Sequence, residues 1–122
     1  MAVGVRNREK AGQKEPTRKF SKAQESSIAT AIGGKRQPNS GATFAAKGDV
    51  KTDQFLIEAK TKVKSSESIT IKKDWFQKNR EEAAFMGKSY TALVFNFGPG
   101  EENHYVIDEE LFIELLNYLK TI

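Results

Sequence analysis

The stretch from Gln54 to Lys60, QFLIEAK, decides how the chain folds. With the two-residue repeat of a β-strand, Phe55, Ile57 and Ala59 point to one face and Leu56, Glu58 and Lys60 to the other. Both faces begin apolar, which is the signature of a strand covered on both sides. Two charged residues, two apart and on one face at the C-terminal end, then need an explanation.

Immediately upstream, Lys51-Thr52-Asp53 reads as a hairpin turn, so Thr43 to Val50 and Gln54 to Thr61 are expected to pair as neighbouring strands. Downstream, residues 62 to 68 form a polar loop around Ser65-Ser66-Glu67-Ser68. Lys73 to Met86 reads as a helix, with Trp75, Phe76, Ala83 and Met86 as its apolar positions and Gly87 as its stop. YTALVFNF, Tyr90 to Phe97, is the strongest strand signal in the chain. Gly98-Pro99-Gly100 turns it into a strand around His104 to Ile107, and Asp108 caps a last helix whose core stripe is Leu111, Leu115, Leu116 and Leu119.

At the other end, Ser21 and Gln24 have capping-box spacing and Gly33-Gly34 is a helix stop, which predicts a helix over residues 22 to 32 with Ile28 and Ile32 inward. Glu25 shares that inward face, where a carboxylate needs a partner. GGKRQPNSG, Gly33 to Gly41, reads as a loop carrying Lys35, Arg36, Gln37, Asn39 and Ser40, groups that suit phosphate and suit an ordinary connector equally. It lacks the Gly-Lys-Ser/Thr ending of a Walker loop. Residues 1 to 20 read as a flexible basic arm and 21 to 122 as one domain. The fold class expected is α/β, a single domain with a central mixed β-sheet flanked by helices.

Composition narrows the chemistry. The 122 residues contain no cysteine and one histidine, His104, which excludes disulfides, thiolate zinc, a cysteine nucleophile and a multi-histidine cage. Any metal must be held by oxygen. No apolar run approaches the roughly 18 residues that span a bilayer, and the N-terminus lacks a signal-peptide core, so a cytoplasmic location with no membrane partner is expected. The net charge of +4 conceals an asymmetry: residues 1 to 64 carry fourteen Lys and Arg against six acids, and residues 89 to 122 one Lys against six acids. A basic half of this kind attracts phosphate backbones, or is simply a solvated face.

Asp49, at one strand end, and Glu58-Ala59-Lys60 on the next strand are separated by a turn of the right length to set them side by side. Two carboxylates suit Mg²⁺, with Mn²⁺ as substitute, and leave room for a phosphate and water. Lys60, about 7 Å along the strand from Glu58 by strand geometry, suits a developing negative charge on phosphorus. Glu25 offers a third acid.

Asp49 followed by Glu58-Ala59-Lys60 resembles the PD-(D/E)XK nuclease signature, with Gly48 in place of the proline. The order helix, strand, strand, helix, strand is similar to that superfamily's α-β-β-β-α-β core with one strand unidentified. The helix with Glu25, the Arg36 to Gly41 loop, the Lys47-Gly48-Asp49 turn and the Ser68 to Gly87 segment resemble archaeal and phage-type Holliday junction resolvases; the resemblance covers about residues 21 to 97. It implies a homodimeric, Mg²⁺-dependent endonuclease on branched double-stranded DNA. Glu25, Asp49, Glu58 and Lys60 would be its catalytic residues and the first three its metal ligands. Lys35, Arg36, Ser40, Lys47, Lys62, Lys64, Lys72 and Lys73 are the candidates for DNA contact. Nuclease action on other DNA and a non-catalytic nucleic-acid-binding module are the alternatives. His104 reads as a rim histidine and Trp75 and Phe76 as core, while Lys72, Lys73 and Lys78 either grip phosphates or solvate a helix.

Overall fold

The computed structural model describes residues 18–37 and 49–122. In chain order these form helix α1 (residues 18–32 as described), β1 (Lys35–Arg36), β2 (Val50–Lys51), β3 (Phe55–Lys60), α2 (Lys73–Phe85), β4 (Tyr90–Phe95), β5 (His104–Val106) and α3 (Glu109–Leu119). The five strands make one sheet in the order β1-β2-β3-β4-β5. β3 and β4 are parallel and every other pair is antiparallel. A mixed α/β sheet domain is therefore the architecture.

The doubly apolar reading of QFLIEAK holds. Leu56 is 0% and Ile57 2% exposed although they point to opposite faces. On one face Ile28 of α1 packs with Val50, Ile57, Ala92 and Val94, supported by Ala29, Ile32 and Phe55. On the other lies α2, the crossover that a parallel β3–β4 pair requires. Asn79 of α2 is buried and its Nδ2 donates to the Leu56 and Ala92 carbonyls at 3.4 and 3.3 Å, which ties the crossover helix to both strands it connects. Lys88, just beyond α2, donates to the Thr52 and Asp53 carbonyls at 2.7 and 3.2 Å and so holds the β2–β3 turn.

Several expectations are corrected. α1 already includes residues 18–20, so Ser21 and Gln24 lie inside the helix and do not cap it; their side chains instead reach across to β3, as described below. The glycine stop is as read: Gly33 has φ of 68° and the Gly34 amide donates to the Ala29 carbonyl at 2.9 Å, the longer bond of a Schellman ending. The segment that follows, read as a loop, contains β1. Gly34 permits it, because a Cβ there would lie 2.7 Å from the Lys51 carbonyl oxygen. β2 is described only as Val50–Lys51, with Asp49 just before it; residues 43–48 of the expected Thr43 to Val50 strand lie outside the described residues, as does the arm over residues 1–17. α2 and β4 end slightly earlier than read, at Phe85 and Phe95.

The largest correction concerns α3. Asp108 caps it as expected, its Oδ1 accepting from the Leu111 amide at 2.8 Å, but of the expected core stripe only Leu111 is buried. Leu115, Leu116 and Leu119 are 44%, 40% and 58% exposed. The stripe exists as a pattern, and among the described residues most of it stays exposed. Among the described residues no helix is long and apolar enough to cross a membrane.

Ile28 is the residue through which α1 engages the sheet, and it is fully buried. Ile28→Ala should destabilise the domain by about 2–5 kcal/mol, the usual cost of emptying a large aliphatic site, read as a lower midpoint in urea with an unchanged slope.

Candidate active site

The C-terminal end of β3 emerges where α1, β2 and the start of α2 meet. Glu58 and Lys60 lie two apart on the α2 side of the strand, and the Lys60 ammonium stands 3.4 Å from Glu58 Oε1, with both side chains about a quarter exposed. Asp49 directly precedes β2. Its amide donates to the Ile57 carbonyl and its carbonyl accepts from the Gln37 amide, both at 2.9 Å. Its Oδ2 accepts from the Ala59 amide at 2.7 Å. The backbone between Glu58 and Lys60 thus holds the Asp49 carboxylate beside them.

Glu25, on the inward face of α1, is 13% exposed at its side chain and pairs with Arg36 Nε at 3.3 Å. The partner this carboxylate finds is therefore Arg36, which lies on the edge strand β1. Arg36, a candidate for phosphate contact, is engaged by Glu25 while remaining 35% exposed.

The electrostatics link the three acids through Asp49. Burial, then the Asp49 charge, raise the Glu25 carboxyl above its ordinary value, opposed by Arg36. Glu58 is pushed up to about 7, first by burial and then by Asp49, against the attraction of Lys60; Glu82 on α2 adds a smaller push in the same direction. Glu25 and Glu58 each respond to Asp49, which is their common neighbour. Among the described residues, however, no three or more carboxylate or histidine groups converge on one point. In kind the donors fit a hard divalent cation, since oxygen ligands that repel one another are relieved by a shared positive charge; in placement, Asp49 is close enough to both Glu58 and Glu25 to raise each of them, and Arg36 engages Glu25.

Three residues take part in the site without having been read there in the sequence: Gln24 and Ser21, read as a capping pair, and Glu82. Gln24, 5% exposed, donates through Nε2 to the Lys60 carbonyl at 3.1 Å and accepts through Oε1 from Thr61 Oγ1 at 2.7 Å. Ser21 Oγ donates to the same Thr61 hydroxyl at 3.3 Å. Their α1 spacing, 21, 24, 25 and 28, is the inward stripe itself, which was the available signal. Glu82 is the third: nothing in the sequence pairs it with a strand twenty-four residues earlier. Trp75, expected in the core, is half-buried with its ring 4.2 Å from Lys60 Nζ, a cation–π contact.

Of the other candidates, Lys62 is half-buried and Lys64 exposed on the chain leaving β3. Lys72 and Lys73 are exposed at the start of α2, one turn or less from Trp75, and Lys35 is exposed on β1. Ser40 and Lys47 lie outside the described residues. His104 is exposed and stacks on Phe95 with centroids 5.4 Å apart, as a rim histidine would. No protein-family model, curated protein or solved structure matches the chain. What the site does must be read from its own groups.

The folded protein holds the Glu58 proton more tightly than the unfolded chain. The group therefore favours the folded state below the ordinary value of 4.5, and that contribution is lost as pH rises through about 7. Glu58→Gln, which cannot ionise, should match the native protein in thermal midpoint near the acid end of this window and exceed it above the window. A native midpoint that rises across the window relative to the variant would contradict the assignment.

Proposed function

We propose that the protein is a divalent-metal-dependent DNA endonuclease of the PD-(D/E)XK type, with a branched, four-way DNA junction as its substrate and the cytoplasm as its setting. The observation that carries the reading is the grip of Asp49 Oδ2 on the Ala59 amide, which fixes two carboxylates and one ammonium around a single strand end. The element order α1, β1, β2, β3, α2, β4 agrees with the core of that superfamily once β1 is counted as its missing strand. The junction as substrate rests on the resemblance of the Glu25 helix and the segments around it to the resolvases.

Asp49 and Glu58 are the groups to hold Mg²⁺ or Mn²⁺, joined by Glu25 when Arg36 turns to a phosphate. A bound divalent ion supplies a Lewis acid for a phosphodiester oxygen and a water acidic enough to attack near neutral pH. The chain's own residues supply the rest. Lys60 offers positive charge to the phosphorus centre as negative charge builds there. Trp75 and Glu58 fix the direction of its ammonium, and Gln24 fixes the backbone that carries it. The exposed Lys64, Lys72 and Lys73 surround this end of the sheet with charge suited to a phosphate backbone. Without a cation the acids would repel the same DNA, which makes metal dependence part of the proposal rather than an addition to it.

The test is cleavage of a labelled four-way junction beside a linear duplex of the same sequence, with Mg²⁺, Mn²⁺ or chelator. Paired, metal-dependent nicks confined to the junction are expected. Asp49→Asn keeps an oxygen to accept from Ala59 and should bind the junction normally while cutting at least about 100-fold more slowly, a typical loss for a charge-stabilising group. Equal cutting of both substrates would discard the junction, and binding without cutting under any metal would discard the enzyme.

A further inference from the structure

We infer that Lys35 and Lys51, which face each other across β1 and β2, form a binding site for the phosphates of a nucleic-acid strand, set apart from the charged end of β3. The inference rests on the nuclease reading only in taking that strand to be DNA. The two residues are register partners in an antiparallel pair, so their side chains stand on one face as immediate neighbours. Lys51 is in turn the partner of Leu56, which puts the lysines on the face of the sheet that also carries Glu58 and Lys60. Helix α2 covers that face over β3 and β4, where Asn79 ties it down. Over β1 and β2, Lys35 is exposed and Lys51 half-buried. A cleft of about 590 Å³ is lined by both lysines together with Gly33, Thr52, Asp53 and Lys88. Lys88 adds a third positive charge, its Nζ held by the Thr52 and Asp53 carbonyls at 2.7 and 3.2 Å.

Like charges directly opposite each other destabilise an antiparallel pair. Among the described residues neither lysine forms an ion pair that would offset this, and Asp53, which shares the cleft, pairs with neither. An edge strand often carries lysine to discourage pairing with another chain, and that accounts for Lys35 on β1. It does not account for Lys51, because β2 is internal, between β1 and β3. An anion held between the two ammonium groups accounts for both. The arrangement also selects a polymer. Lys51 lies two residues along β2 from Asp49, about 7 Å by strand geometry, and Lys60 stands on the same face at the far end of β3. Positive groups that follow one another along a single face match the repeating charge of a phosphodiester chain, whereas a free phosphate would engage the lysine pair alone. Contacts of this kind position a strand and do not read its sequence.

The experiment is fluorescence anisotropy of a labelled four-way junction titrated with the full chain, at one fixed Ca²⁺ concentration and a series of KCl concentrations. Lys35→Gln and Lys51→Gln should each reduce the slope of log K against log[salt] by about 1, and the double variant by about 2. Lys22→Gln, the same loss of charge at an exposed position of α1, should leave the slope as it is. Each substitution at the site removes a like-charge opposition, so the thermal midpoints of the free variants should equal or exceed that of the native chain, and a lowered slope then reports binding rather than unfolding. A native chain that does not bind the junction, or slopes unchanged in both lysine variants, would overturn the inference. Unchanged slopes with inorganic pyrophosphate raising the thermal midpoint of the native chain, but not of the double variant, would give the site to free phosphate and remove the strand from it. The proposed activity is separable. Lowered slopes without cleavage under Mg²⁺ or Mn²⁺ keep this site and discard the nuclease; cleavage with unchanged slopes does the reverse.

Discussion

Everything in this domain is arranged around the burial of β3 on both faces. A strand that carries Leu56 and Ile57 side by side can be stable only between two layers. Helix α1 supplies one and the crossover α2 the other, and the parallel pairing with β4 follows from having a helix available to make that crossover. Toward its C-terminal end the strand passes from buried to half-buried, and Glu58 and Lys60 occupy that end, each about a quarter exposed.

The same burial that stabilises the strand loads the site electrostatically. Glu58 is high in its titration first because it is partly withdrawn from water and second because Asp49 is held beside it by a backbone amide. The counter-charges are nearby but imperfect: Lys60 answers Glu58 and Trp75 together, and Arg36 answers Glu25. Carboxylates crowded in this way are costly to a small domain and are the kind of strain that accompanies function. Polar atoms reinforce the arrangement from behind, with Gln24 spending both ends of its amide on Lys60 and Thr61.

Much of this was legible beforehand in particular residues. The alternation in QFLIEAK located the buried strand and its charged end, YTALVF located its parallel neighbour, and Gly33 marked the end of α1. Glu25 was read correctly as an inward carboxylate in need of a partner. That Arg36 pairs with it was not read, because Arg36 sits in a turn-rich stretch whose two-residue strand is created by pairing with β2 and has no periodicity of its own. Ser21 and Gln24 have capping spacing, yet the helix begins before them and their side chains serve the site instead. Trp75 looked like core because an aromatic on an apolar stripe usually is; the ammonium that claims its face comes from fifteen residues away.

By itself the sequence determined which segments alternate, which repeat every three to four residues and which residues bear charge at a strand end, since these depend on local geometry that each residue carries with it. The tertiary structure alone decided which charges face one another, that Asp49 lodges against the Ala59 amide, that Arg36 is drawn to Glu25, and that Leu115, Leu116 and Leu119 of α3 stay exposed among the described residues. Pairing and burial are relations between distant segments. A pattern can announce an apolar stripe, but only the packed arrangement says whether anything lies opposite it.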